Sequence, residues 1–132
     1  MSEYTSSSLL STGLKAFSIF SMATGTADVI GGHKLLIPAS ERGLLPKSTL
    51  SVVDNQLRFL GAIWGGYGAT MWWISNDLQT RQAPLAVLGV VAFVAGIGRT
   101  VSGLSLGWGA PWLKVAAGIE LVVPPLVYLF GF

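Results

Sequence analysis

Residues 84–106 read PLAVLGVVAFVAGIGRTVSGLSL, a run in which Arg99 is the sole charge. Crossing the hydrocarbon core of a bilayer takes roughly 20 predominantly apolar residues in helical form, and this run meets that length. Pro84 stands in its first turn, where the missing N–H is not needed. Working outward, residues 107–110 (GWGA) form a tight turn into a second apolar run, 111–132. Towards the N-terminus, the polar turn Asn76–Ala83 separates 84–106 from an apolar run at 54–75. Another apolar run lies at 11–31, and a connecting segment occupies 32–53. Four such runs predict an all-α, integral membrane four-helix bundle, one domain over residues 1–132 without a soluble portion.

Composition agrees. The 132 residues are 52% hydrophobic and only 11% charged, whereas a water-soluble domain carries about 25% charged residues on average. Eight basic residues against six acidic ones leave a basic excess too thin for a nucleic-acid surface. The absence of cysteine removes disulfides and thiolate chemistry, and a single histidine argues against a dedicated transition-metal site. No metal or other cofactor is expected. The Ser-rich opening, Met1 to Leu10, reads as a loose tail. It has no basic residue ahead of the apolar run, and Asp28 stands where cleavage would need small neutral residues, so 11–31 reads as a retained span rather than a signal peptide.

Small residues mark the expected helix contacts. Gly61, Gly65 and Ala69 recur at four-residue spacing in one run, and Gly89, Ala92 and Gly96 form a similar stripe in the next. In lipid such stripes let backbones approach and gain dispersion contacts. Trp72, Trp73, Trp108 and Trp112 fall near span ends, as interfacial belts do. Lys15 and Lys114 are expected to snorkel to the headgroups. Lys34, Arg42 and Lys47 in the connecting segment outweigh the basic residues elsewhere, so the charge bias favours a cytosolic first loop with both termini on the far side.

Against this apolar background, five ionisable residues lie in or at the edges of the spans: Asp28, Asp54, Arg58, Arg99 and Glu120. A charge at mid-bilayer costs at least roughly 2.5–3.5 kcal/mol and is usually paired or functional. With alternating spans, all five fall in the half of the membrane that carries the connecting segment. Arg99 lies roughly 10 Å and Glu120 roughly 15 Å below that face, at the helical rise per residue. Asp54 and Arg58 are four apart, so they share a helix face and can pair. Pro124 and Pro125 remove the helical donors of the Glu120 and Leu121 carbonyls. The spacing therefore predicts one polar cluster with Arg99 at its centre. Asn55 and Gln56 add neutral polar groups beside Asp54, and His33 reads as an interfacial loop residue. One reading makes the charges register-fixing ion pairs; the other makes them a pocket opening under the connecting segment.

The run DNQLRFLG at 54–61, GRTVSG at 98–103, GAP at 109–111 and Glu120 resemble a family of small four-span membrane proteins catalogued as a domain of unknown function. The likeness covers roughly the chain from Lys15 onward. Some fungal members are similar to polyketide-pathway proteins regarded as epoxide hydrolases or cyclases. That resemblance implies a membrane enzyme opening an epoxide with water or an internal hydroxyl. Asp54 would act as base, Glu120 in an apolar setting as acid, and Arg58 and Arg99 as partners of the carboxylates, with Asn55 and Asp28 contacting the substrate. The partners expected are a lipophilic small molecule and membrane lipid, with a homo-oligomer left open and nucleic acid excluded. In a eukaryotic cell the endoplasmic reticulum membrane is the expected location. The rival classes are a scaffold or lipid-binding protein and a proton-coupled transporter, which would need several copies of so short a chain.

Overall fold

The computed structural model describes residues 2–130, and among them every regular element is helical. The order is α1 (Ser2–Gly31), a 3₁₀ turn (Gly32–Leu35), α2 (Ala39–Arg42), α3 (Lys47–Ser75), α4 (Gln82–Leu106) and α5 (Pro111–Phe130). Two of these helices, α4 and α5, are long and apolar enough to cross a membrane. Helices α1 and α3, at 30 and 29 residues, are longer, but they are richer in serine and threonine.

Several boundaries differ from those read in the sequence. The tail read at Met1 to Leu10 is helical from Ser2. The segment read as connecting from 32 to 53 is shorter, because α3 begins at Lys47 directly after Pro46, whose ψ of 143° holds the chain extended before the first turn. Hydropathy detects the part of a helix that fits a hydrocarbon core, not the polar turns beyond it. At 1.5 Å per residue α3 runs roughly 43 Å, against a core of about 30 Å.

The chain divides into two compact units, Ser11–Asn76 and Asp77–Phe132 together with Met1–Leu10. In the first, α1 and α3 pack closely. A Cβ added at Gly25 would lie 2.5 Å from the Gly61 carbonyl oxygen and 2.6 Å from the Gly65 nitrogen. A Cβ at Gly68 would meet the Ser18 carbonyl and the Ser21 side chain at 2.8–3.0 Å. The seam is thus Gly61, Gly65 and Gly68; Ala69, expected in it, is exposed. Polar groups sew the seam together. Ser21 Oγ donates to the Trp64 carbonyl (2.6 Å), Trp64 Nε1 to Thr24 Oγ1 (2.8 Å), and Ser11 Oγ to the Ser75 carbonyl (2.7 Å). Phe17 meets Trp64 edge-on, with centroids 5.6 Å apart. Lys15 lies over the Trp72 ring, 5.8 Å from its centroid.

Because backbone atoms are what a Gly25 side chain would strike, nothing flexible can give way. Gly25→Ala should destabilise the folded protein by about 1–3 kcal/mol through overpacking, read as a drop in thermal unfolding temperature in detergent. Gly66→Ala is the matched control, since its added Cβ meets nothing within 4 Å; it should leave stability unchanged or raise it slightly.

The second unit is built on the α4–α5 hairpin. Gly107 at φ +85° ends α4, its N–H donating to the Gly103 carbonyl at 3.0 Å. The Trp108 ring then folds back onto Gly103, where no side chain would fit. Gly96 faces Glu120 and Leu121, and Gly89 faces Pro124, so the two glycines of the stripe read on α4 line the contact. Helix α5 carries Pro124 and Pro125 within its span. In the turn before α4, the Thr80 hydroxyl and N–H both donate to the Asp77 carboxylate and hold it below its ordinary pKa. That turn contributes fully above the ordinary carboxylate pKa and loses its contribution as pH falls through the lowered value.

Much of the surface is apolar. Val87, Val90, Val94, Val101 and Leu104 on α4 are all more than half exposed. The threonines among such residues bond to their own helix: Thr24 to the Phe20 carbonyl, Thr26 to Met22, Thr70 to Gly66 and Thr100 to Gly96, each four residues back. No hydroxyl among these needs water.

Candidate functional site

The polar site of the first unit starts where α1 stops. Gly31 closes the helix, and Gly32 takes φ +56°, the left-handed conformation that suits glycine at a helix end. The space at Gly32 excludes a side chain as firmly as its dihedral does. A Cβ there would fall on the Asp54 carboxylate and within 2.9 Å of the Arg58 guanidinium. This reversal turns the next residue, His33, back against α3.

Asp54 receives three groups. The His33 backbone N–H donates to Oδ1 at 3.0 Å, and His33 Nδ1 lies 2.6 Å from the same oxygen. Arg58 Nε donates to Oδ2 at 2.8 Å. A carboxylate can only accept, so Nδ1 carries the proton in this contact and the lone pair of the neutral ring is at Nε2. Arg58 also donates from Nη1 to the Val29 carbonyl at 2.7 Å and the Ile30 carbonyl at 3.3 Å. Those are among the last carbonyls of α1, left without helical donors. The His33 and Asp54 side chains are 22% and 26% exposed: sheltered, yet open at an edge.

Asp54 and Arg58 therefore pair as their spacing predicts. His33, read in the sequence as a loop residue, is instead a direct partner of Asp54. The signal for it was Gly31-Gly32 immediately ahead, since a left-handed glycine after a helix folds the following residue back on that helix's end. The Arg58 side chain is 45% exposed and reaches over the end of α1. Asp28 packs by its Cβ against Gly61, one turn back from the corner; among the described residues it forms no ion pair. Asn55 and Gln56 are exposed on α3.

The second unit holds the other two charges. Arg99 Nε donates to both Glu120 oxygens, at 3.0 Å each, and this pair joins α4 to α5. Gly96, one turn before Arg99, allows the approach, since its added Cβ would stand 3.0 Å from the Glu120 Cβ. Among the described residues no group of three or more metal-ligating side chains is present.

Residues 9–130 match the family described as a domain of unknown function, DUF4345, and the chain belongs to it. No curated protein matches, and no solved structure does.

Proposed function

From within that family, we propose that the chain is a four-span membrane protein whose α1–α3 corner performs acid–base chemistry on a lipophilic molecule, the reaction being the opening of an epoxide by water or an internal hydroxyl. The observation that carries this reading is the 2.6 Å contact between His33 Nδ1 and Asp54. A carboxylate on one ring nitrogen fixes the tautomer and orientation of the imidazole and stabilises its protonated form, leaving the other nitrogen to act as base. His33 Nε2 takes the proton of the attacking hydroxyl as its oxygen bonds to an epoxide carbon. The carbon–oxygen bond of the ring breaks, and the resulting alkoxide recovers the proton from the imidazolium. Asp54 touches the base, and Arg58 holds Asp54.

The membrane part of the reading rests on the exposed apolar faces of α4 and α5 and on hydroxyls satisfied within their own helices. The lengths of α1 and α3 support the count of four. Both termini then lie on one side of the membrane, and reporter tags fused to the two ends should report the same compartment; tags on opposite sides would overturn the four-span arrangement. The surplus length of α3 at its N-terminal end leaves Asp54, seven residues after Lys47, roughly 10 Å along the helix, near the boundary of lipid and water. An attacking water and a membrane-dissolved substrate both reach such a depth.

The chemistry is tested by incubating membranes containing the protein with lipophilic epoxides and analysing products. Diols or cyclic ethers should form only where the intact chain is present. The rival reading, a non-catalytic scaffold, draws on the Arg58 contacts to Val29 and Ile30, which tie α1 to α3 without any substrate.

A further inference from the structure

The segment between α1 and α3 exposes leucines where no span exists to explain them. Leu44 is 83% exposed, and Leu35, Leu36 and Leu45 are exposed as well. The segment, 32–46, is too short to cross a bilayer, and it is broken by Pro38 and Pro46. Lys34 and Arg42 stand among the leucines against one acid, Glu41, and Lys47 opens α3 directly after them, so residues 32–47 carry a net charge of +2. Arg42 Nε donates to the Ile37 carbonyl at 2.9 Å, so the segment is folded on itself rather than extended. Lys34 and Lys47 are exposed.

We propose that this segment is a membrane-surface anchor that lies in the headgroup layer of an anionic leaflet. Its leucines enter the acyl boundary and its basic side chains meet lipid phosphates. Exposed leucines beside exposed lysines are what an interfacial segment presents, and the net positive charge selects the anionic lipid. A basic side chain near such a surface is worth roughly a fivefold gain in association. Since His33 lies at the start of this segment, the anchor also sets the α1–α3 corner at the headgroup level. The inference rests on the membrane reading above.

The absence of cysteine makes single-site labelling unambiguous. Nitroxide labels at Leu44→Cys, Gln79→Cys and Val90→Cys would be compared in phosphatidylcholine vesicles with and without phosphatidylglycerol. The ratio of collisions with oxygen to collisions with a water-soluble nickel chelate reports depth. Val90 on α4 is the control for insertion; a watery Val90 label would overturn the membrane reading itself. With Val90 in the hydrocarbon, the ratio at Leu44 should exceed that at the exposed Gln79 severalfold and rise further with phosphatidylglycerol. The K34Q/K47Q variant, which leaves Arg42 in place, should lose that rise while the Val90 label is unchanged. A Leu44 label as watery as Gln79, or one indifferent to phosphatidylglycerol, would overturn the anchor. So would dipolar broadening between Leu44 labels, which would identify a second copy of the chain as the occupant.

Discussion

Replacing His33 with alanine should lower epoxide turnover by about 10²–10⁴, the usual loss when a general base is removed, while most of the folded protein survives. His33 lies at the edge of its unit, and its backbone N–H, which also donates to Asp54, is untouched by the substitution. Adding free imidazole to the His33→Ala protein should restore part of the rate, because the space left beside Asp54 accepts a ring of the same chemistry. Asp54→Asn should lose activity on the same scale. An amide can still accept from Arg58, yet it cannot stabilise an imidazolium as a carboxylate does, and it can face Nδ1 with the wrong tautomer. The measurements are turnover and thermal unfolding in detergent for each variant, with and without imidazole. A scaffold role makes a different pattern: activity, if any, would fall only in step with folded protein, and imidazole would rescue nothing. That pattern would remove His33 and Asp54 from the chemistry.

What could be read from the sequence, and what could not, separates along physical lines. The Asp54–Arg58 pair was legible because one helix sets it: residues four apart share a face whatever surrounds them. The contacts of Gly89 and Gly96 with α5 were legible for the same reason, since two glycines seven apart on one helix share a face that a neighbour can approach. The partnership of His33 with Asp54 depends on two things, of which the pattern Gly31-Gly32 signals only the first. One is the left-handed turn at Gly32, a single dihedral of +56°. The other is the register of α1 on α3, set by Gly25 meeting Gly61 and Gly65 across the seam. The early start of α3 was hidden because Lys47, Ser48, Thr49 and Ser51 interrupt its first two turns, and an apolar-run reading credits only what lipid would accept. Pro46 was the available cue, as a residue whose extended backbone commonly precedes a first helical turn.

The Arg99–Glu120 pair carries the other large effect, and it falls on stability. Arg99→Met leaves the Glu120 carboxylate, 19% exposed, with its donor gone, and leaving such a half-sheltered group unsatisfied typically costs about 1–3 kcal/mol. Glu120→Gln keeps the shape but leaves the guanidinium facing a neutral amide, so it should cost less, in the same direction. The double variant Arg99→Met with Glu120→Leu should recover most of the loss, because it removes the charges together and fills the space with apolar volume. That recovery is the signature of a register pair: each charge matters only because the other is present. Gly96 makes the test sensitive, since the close approach it allows holds the two side chains at 3.0 Å with little slack. Thermal unfolding of the three variants in one detergent measures the cycle, and turnover of a lipophilic epoxide measures the alternative. If Arg99→Met and Glu120→Gln leave unfolding unchanged while turnover collapses, Glu120 is the proton donor that its apolar setting suggested, and the register assignment fails.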